Sequence, residues 1–342
     1  MKKARVGVVG VSGYAGLELI AILLKHPAAG LVAAMDAAEI GETPLSEIHP
    51  SLYGMCNLTT FVPDEGRLAT LQLDTVFLCT PDKVSHDLVP RFLSLGIRVI
   101  DFSGAFRLKD AESYPAWYGF HHADPDLLKK AVYGLPEWNA GSIESATLIA
   151  NPGCYPTSVT LPLLPLIQAG MIETGSDIFC DSKSGVTGAG RGSKQILMFG
   201  EVSENFRPYS PIKHRHAPEI CQELGWDLGN FTFVPHLLPT NRGIVSTMYV
   251  CFHRQVNSAE IETEYAKRYS KHPFVRILGD SRLPELRAVN HTNFCDIGWR
   301  LSHGGKRAVI FSAIDNLGKG ASSQAVQNFN LMHRFEQSLG LL

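Results

Sequence analysis

The chain has 342 residues, of which 45% are hydrophobic and 19% charged, and its formal net charge is -2. Because single hydrophobic cores stop growing at roughly 250 to 300 residues, this length predicts two domains. The weak net charge argues against a nucleic acid or an anionic membrane as partner, and no apolar run reaches the ~20 residues that span a bilayer.

The first elements predict a strand, a glycine turn and a helix. Residues 4–9, "ARVGVV", have the apolar pattern of a short buried strand rather than of a secretory leader. Residues 14–25 then carry apolar side chains at helical spacing. Between them stand three glycines, three residues apart: Gly10, Gly13 and Gly16. Such a turn before a helix N-terminus cradles a pyrophosphate, so we expect nucleotide binding; a plain tight turn is the alternative.

Asp36 ends the next apolar segment, residues 31–36, and stands 20 residues after Gly16. An acid at this position usually bonds the ribose 2′-hydroxyl and favours NAD, because it repels a 2′-phosphate. The alternative is a residue that caps or closes a turn.

Strands and helices continue to alternate through the first half. Residues 75–79, 97–103 and 146–150 predict strands, and residues 83–96 predict a helix. Repeated β-α-β units imply a doubly wound parallel sheet, with function gathered at the carboxyl ends of its strands.

The seven cysteines are odd in number, and none forms a CxxC pair. This pattern disfavours a disulfide framework and a cysteine zinc site, and it fits a reducing, cytoplasmic compartment. We expect six of them to be small core residues and Cys154 to be the exception.

Cys154 lies in "NPGCYPT", between a strand end and a helix that Pro156 and the following "TSVTLPLL" predict. A helix N-terminus lowers the pKa of a thiol and makes it a better nucleophile. Beside a dinucleotide site, such a thiol indicates acyl transfer with hydride transfer at the thioester carbon. A buried structural cysteine is the alternative, and Pro162 and Pro165 are expected to kink the helix.

"KHRHAPEI" supplies a candidate base for this thiol. His216 is expected just before a helix N-terminus, which would keep its imidazole neutral and able to accept a proton. A metal site with His214 is an alternative, but no third ligand stands nearby in sequence. Lys213 and Arg215 are candidates for binding anionic substrate groups.

Three further segments carry candidate ligand-binding residues. The glycine-rich stretch 183–192 predicts a loop with Arg191 that cradles an anion or covers a ligand, or else a flexible surface loop. Arg107 follows a strand end and suits a carboxylate or phosphate, or a structural ion pair. Asn316 precedes a glycine turn and a helix from about residue 321, and its amide suits a nicotinamide carboxamide.

Together these segments resemble the N-acetyl-gamma-glutamyl-phosphate reductase family, and the likeness runs nearly end to end. The matching motifs, in order, are "GVSGYAG", "DFSGAFRL", "VYGLPEWN", "NPGCYPT", "SGVTGAGR", "HRHAPEI", "PHLLPTNRG" and "DNLGKGASSQAVQ".

The resemblance implies a role for each candidate. Cys154 corresponds to the nucleophile and His216 to the acid/base. The implied NADP-binding residues are Gly10, Ser12, Gly13, Tyr14 and Gly16 at the pyrophosphate, with Gly188, Asn316 and Lys319 elsewhere on the cofactor. The substrate is an acyl phosphate, whose anionic groups would account for Arg107, Arg191, Lys213 and Arg215. No metal is implied.

The resemblance also implies an architecture. Residues 1–150 and 316–342 would form a Rossmann-like NADP-binding domain. Residues 151–315 would form an α+β catalytic and subunit-contact domain, built on an antiparallel sheet, in a cytoplasmic homodimer or homotetramer. NADPH is thus expected despite Asp36. Open alternatives are a reductase of an aspartyl or aminoadipyl phosphate and a non-catalytic nucleotide sensor.

Overall fold

A computed structural model of the chain describes residues 3–342. The strands are β1 Ala4–Val9, β2 Ala29–Met35, β3 Thr60–Phe61, β4 Thr75–Leu78, β5 Arg98–Asp101, β6 Val132–Tyr133, β7 Leu148–Ala150, β8 Ile178–Gly185, β9 Arg207–Pro208, β10 Phe231–Leu238, β11 Ile244–Cys251, β12 Val275–Gly279, β13 Cys295–Ser302 and β14 Arg307–Ile314. The α-helices are α1 Tyr14–Lys25, α2 Leu45–Ile48, α3 Glu65–Leu71, α4 Asp82–Ser94, α5 Tyr114–Tyr118, α6 Pro125–Lys130, α7 Pro136–Ser145, α8 Cys154–Gln168, α9 Phe199–Val202, α10 His216–Leu224, α11 Ser258–Tyr269, α12 Leu286–Val289 and α13 Ser323–Met332. Within residues 3–342, the structure contains no helix with the length and apolar character that crossing a membrane requires.

Two compact units divide the chain. One contains the residues up to Pro152 together with Ala321–Leu342, and the other contains Gly153–Gly320. The boundaries between the units therefore lie within a few residues of the expected domain limits. The segment 316–320, which was expected in the first domain, belongs to the second unit.

The first unit is built on a seven-stranded sheet in the order β3-β2-β1-β4-β5-β7-β6. All neighbouring strands are parallel, as the alternation of strands and helices predicts. The strand order reverses between β1 and β4, so the loops that follow these strands border the crevice in which such sheets bind ligands. The predicted helix 14–25 is confirmed as α1.

The second unit is built on a seven-stranded sheet in the order β12-β13-β14-β11-β8-β10-β9. The expectation of an antiparallel sheet is wrong in part, because β8 pairs with β10 and β12 pairs with β13 in parallel. Since the carboxyl ends of parallel strands meet at one edge, β8 and β10 end side by side. This pair of strand ends borders the candidate active site described below.

Helix α8 runs from Cys154 to Gln168 and contains both prolines that are expected to kink it. In an α-helix, Pro162 and Pro165 leave the carbonyls of Ser158 and Leu161 without their usual N–H donors. The Ser312 hydroxyl donates to the Ser158 carbonyl at 2.5 Å. The Tyr269 hydroxyl donates to the Leu161 carbonyl at 2.5 Å. Both freed carbonyls are therefore satisfied, and the helix continues through the prolines.

This arrangement gives a test of stability. Ser312→Ala should lower the free energy of unfolding by about 1–3 kcal/mol, because the buried Ser158 carbonyl loses its donor. In a Pro162→Ala background residue 162 regains its N–H, so the same change should cost less. Urea unfolding of the four proteins in this double-mutant cycle measures the difference. If Ser312→Ala lowered the free energy of unfolding equally in both backgrounds, the Ser312 hydroxyl would not be replacing the N–H that Pro162 lacks.

Candidate active site

The glycine turn of the first unit is packed too tightly for larger residues. Gly10 has a φ of +82°, and a Cβ atom there would lie 2.4 Å from the carbonyl oxygen of Cys79. A Cβ on Gly16 would lie 2.4 Å from the Gly10 oxygen. Gly13 caps α1 without a side chain, so the first turn of the helix presents its N–H groups to an anion. Ser12 and Tyr14 complete this turn, which fits the pyrophosphate of a dinucleotide.

Asp36 lies directly after β2 and is 8% exposed. Its two carboxylate oxygens accept backbone hydrogen bonds, one from Ser12 at 2.8 Å and one from Ala37 at 2.8 Å. These contacts favour the interpretation of Asp36 as a residue that closes the glycine turn.

Arg107 is buried in the first unit. Its guanidinium donates to the carbonyl oxygens of Asn151 at 2.9 Å and Phe102 at 2.6 Å. Both carbonyls follow sheet strands, so Arg107 ties two strand ends together. These two hydrogen bonds favour a structural role for Arg107 over substrate binding.

A cavity of about 480 Å³ lies within the second unit. Ser184 and Gly185 at the end of β8 and Leu237 near the end of β10 form part of its wall. The first residue of α8, Cys154, and the first residue of α10, His216, also line it. Two helix N-termini thus open onto one cavity and give it a positive potential.

Cys154 differs from the other cysteines in its surroundings. It is partly buried, and Gly320 packs so closely that a Cβ there would lie 2.8 Å from the Cys154 Cβ. Burial raises the pKa of the thiols of Cys180 and Cys221 to about 12, which makes them poor nucleophiles. Of the six cysteines expected in the core, Cys79 packs against the hydrophobic core of the first unit, whereas Cys251 is only partly buried.

The two histidines lie side by side in the cavity wall. His216 is the first residue of α10 instead of preceding the helix as expected, and its ring centre lies 4.8 Å from that of His214. The backbone N–H of His216 donates to Nδ1 of His214 at 3.2 Å. Burial, with a smaller effect of Arg215, lowers the pKa of His214 to about 4. His214 is therefore a neutral acceptor at Nδ1, and His216 is the better candidate for proton transfer.

Four basic side chains line the same cavity: Lys194, Arg207, Lys213 and Arg215. Lys213 and Arg215 are predicted from the sequence, whereas Lys194 and Arg207 are not, because they stand in segments without a recognisable motif. Arg191 lies on an exposed stretch and does not line the cavity. This concentration of positive charge suits a substrate with more than one anionic group.

The other residues expected to bind the cofactor, Gly188, Asn316 and Lys319, also lie in the second unit. Gly188 lines the cavity from a 3-10 helix, Val186–Ala189, so the stretch expected to be a loop is partly regular. The Asn316 amide accepts from the Gly243 N–H at 2.7 Å and donates to the Thr187 hydroxyl at 3.0 Å. These bonds favour a role for Asn316 in holding the wall that contains Gly188. Lys319 is fully buried.

Glu219 is a buried polar residue of this region that the sequence does not single out. It lies in the first turn of α10, is 0% exposed, and accepts a hydrogen bond from the Gly153 N–H at 2.9 Å. Glutamate in a first turn is a common helix signal, so the sequence offers no sign of this long-range contact.

No group of three or more His, Cys, Asp or Glu side chains that could hold a metal ion is found within residues 3–342. His214 and His216 contact each other as described above. They do not belong to a group of described residues that could hold a metal ion.

Comparison with known families agrees with the two units. Residues 5–146 match the family described as "Semialdehyde dehydrogenase, NAD binding domain", and residues 154–316 match "Semialdehyde dehydrogenase, dimerisation domain". A probable aspartate-semialdehyde dehydrogenase from Pseudomonas aeruginosa has the same fold, with a TM-score of 0.74 and 17% identity over 97% of this chain and 99% of that one. Fold and site thus define a protein of the semialdehyde dehydrogenase class.

Relatives of higher identity narrow the class. The chain is 44% identical to N-acetyl-gamma-glutamyl-phosphate reductase of Halorhodospira halophila, over 98% of this chain and 97% of the relative. It is 45% identical to the enzyme of that name from Pelobacter propionicus, with the same coverage of both chains. The chain therefore belongs to the N-acetyl-gamma-glutamyl-phosphate reductase family.

Proposed function

We propose that this protein reduces N-acetyl-gamma-glutamyl phosphate with NADPH to N-acetylglutamate 5-semialdehyde and phosphate, as a cytoplasmic step of arginine biosynthesis. Membership of the family supports the reaction, and the free cysteines suit a reducing compartment. The observation that carries the proposal is the cavity itself, which combines a thiol at a helix N-terminus, an imidazole and four cationic side chains.

The chemistry follows from these groups. His216 accepts the thiol proton, and the Cys154 thiolate attacks the acyl carbon. The bond from that carbon to the phosphate oxygen breaks, and phosphate leaves with the electron pair. NADPH, when bound, supplies the hydride that reduces the thioester carbon. His216 protonates the new oxyanion and takes the proton back as the carbon–sulfur bond breaks, which frees the aldehyde and the thiolate.

The cationic side chains act on substrate binding and on phosphate release. An acyl phosphate that also carries a carboxylate has an anionic group at each end. Positive side chains that could pair with both ends line the cavity: Lys194, Arg207, Lys213 and Arg215. Cations close to the phosphate stabilise the charge that builds up as it leaves.

The reaction is tested by its dependence on phosphate. We expect NADPH oxidation with N-acetyl-gamma-glutamyl phosphate and, in reverse, semialdehyde oxidation only when phosphate or arsenate is present. Cys154→Ser should abolish turnover, and His216→Asn should lower the rate about 10²–10⁴-fold, more than His214→Asn. Sustained reverse turnover without either anion would assign a hydrolytic aldehyde dehydrogenase instead. Faster turnover of aspartyl or aminoadipyl phosphate than of N-acetyl-gamma-glutamyl phosphate would identify that compound as the substrate instead.

The choice of NADPH is tested separately. Both carboxylate oxygens of Asp36 accept backbone N–H groups, which supports the view that it closes the glycine turn and does not serve as the acceptor for a ribose 2′-hydroxyl. We therefore expect kcat/KM to be higher with NADPH than with NADH. A clear preference for NADH would show that Asp36 contacts the ribose.

We also propose that the protein self-associates through the second sheet. Phe179 and Tyr249 pair in register on neighbouring strands and are 49% and 46% exposed. Paired aromatic side chains on a sheet face are typical of an interface, and a second copy of the chain fits the dimerisation domain that the family description names.

Sedimentation velocity tests this surface. Phe179→Glu should shift the protein towards the monomer, because a charge would be buried in the interface. Tyr53→Glu, at a residue that is 84% exposed in the first unit, is the matched control and should leave the oligomer intact. An unchanged oligomer in the Phe179 variant would exclude this face.

A further inference from the structure

The glycine turn of the first unit contains one peptide group that side chains from two other segments hold in place. The carbonyl oxygen of Val11 lies 2.7 Å from Nε2 of His49. The backbone N–H of Ser12 donates to Asp36 at 2.8 Å. The Val11 carbonyl and the Ser12 N–H belong to the same peptide group, and in a trans peptide they point in opposite directions. The orientation of this peptide is therefore fixed from both sides.

His49 is the donor in the bond to Val11. A carbonyl oxygen only accepts hydrogen bonds, so Nε2 of His49 carries a hydrogen. Both residues are buried, so solvent does not compete for this bond. Without the imidazole the buried carbonyl would lose its donor, which is costly, and the peptide would gain by rotating towards another donor or towards solvent.

The segment that carries His49 is itself anchored in the core. His49 lies between helix α2 and a 3-10 helix, Pro50–Leu52. Its N–H donates to the carbonyl of Leu45 at 2.8 Å, and its carbonyl accepts from the N–H of Leu52 at 2.9 Å. Leu45 and Leu52 are buried in the same hydrophobic cluster as Val11. The imidazole therefore reaches the glycine turn from a fixed backbone.

We propose that His49 is a positioning residue for the dinucleotide, because its hydrogen bond keeps the Val11 carbonyl turned away from the pyrophosphate that the glycine turn binds. The identity of that dinucleotide as NADPH rests on the proposed function. A pyrophosphate is attracted by the backbone N–H groups of the turn and of the first turn of α1, whereas a carbonyl oxygen repels it. If the Val11–Ser12 peptide rotated in part of the molecules, the apparent affinity would fall with the fraction that keeps the binding conformation.

Two amide substitutions test the position of the donor. The amide N–H of glutamine reaches about as far as Nε2 of histidine, whereas asparagine is shorter by one methylene. His49→Gln should therefore keep the bond to Val11, and His49→Asn should lose it. His26→Asn is the matched control, because His26 is a buried histidine of the same unit that caps the opposite end of α1.

We expect His49→Asn to weaken NADPH binding about tenfold, and His49→Gln to bind NADPH nearly as well as the unaltered protein. Binding is measured by the fluorescence of NADPH without substrate, so it does not depend on turnover. KM for NADPH should rise by the same factor in His49→Asn while kcat is nearly unchanged. NADH contains the same pyrophosphate, so its affinity should fall by the same factor, and this comparison tests His49 even where NADH is the better cofactor.

A general loosening of the first unit is distinguished by a ligand without a pyrophosphate. Adenosine 2′-monophosphate should compete with NADPH equally well in the unaltered protein and in every variant, and thermal unfolding shows that each variant is folded. An unchanged NADPH affinity in His49→Asn, or an equal loss in His49→Gln, would overturn the proposal. It would also be overturned if His49→Asn weakened adenosine 2′-monophosphate as much as NADPH, or if His26→Asn weakened NADPH to the same extent.

Discussion

The second unit depends on how the buried helix α8 satisfies its backbone polar groups. Every residue from Tyr155 to Leu166 is buried, so water cannot replace a missing hydrogen bond. Ser312 on β14 and Tyr269 on α11 donate to the two carbonyls that the prolines leave free. Glu219 on α10 accepts the N–H of the N-cap residue. Three neighbouring elements thus hold one helix at defined points, and the residue at its N-terminus is Cys154.

Both candidate ligand sites follow from parallel strand pairs. In the first unit, β1 and β4 are parallel, and the glycine turn follows β1 at the point where the strand order reverses. In the second unit, β8 and β10 are parallel within a sheet whose other pairs are mostly antiparallel. Each pair brings two strand ends to one edge, next to helix N-termini. The first edge offers backbone N–H groups, whereas the second offers a thiol, imidazoles and cations.

Local chemistry was predictable from the sequence where it depends on neighbouring residues. The glycine turn, helix α1 and a helix beginning near Cys154 all have short-range signals, and the structure contains them. Contacts between distant segments were not predictable. Glu219 reaches Gly153 across 66 residues, and Lys194 and Arg207 line a cavity whose other residues come from distant parts of the sequence.

Because contacts between distant segments are not visible in the sequence, Arg107 and Asn316 were predicted to bind ligands, whereas their contacts favour a structural role. Arg107 and Asn316 follow strand ends, where both a ligand and an orphan backbone group are plausible partners. The sequence shows the side chain but not the carbonyls around it. In the structure Arg107 satisfies two carbonyls, and Asn316 satisfies one N–H and one hydroxyl. A buried backbone carbonyl or N–H without a hydrogen-bond partner is costly. A polar side chain that could bind a substrate is therefore used instead to satisfy the buried backbone group.

The charges around the cavity affect the protonation of its imidazoles. A chain with a net charge of -2 collects four basic side chains around one small cavity, so the local potential is opposite to the overall charge. Burial lowers the pKa of His214, and the positive charge of Arg215 acts in the same direction to a smaller extent. Arg215, one of the four cations that suit an anionic substrate, therefore also helps to keep this buried imidazole uncharged. The backbone N–H of His216 donates to its Nδ1, so the neutral ring of His214 supports the first turn of the helix that carries His216.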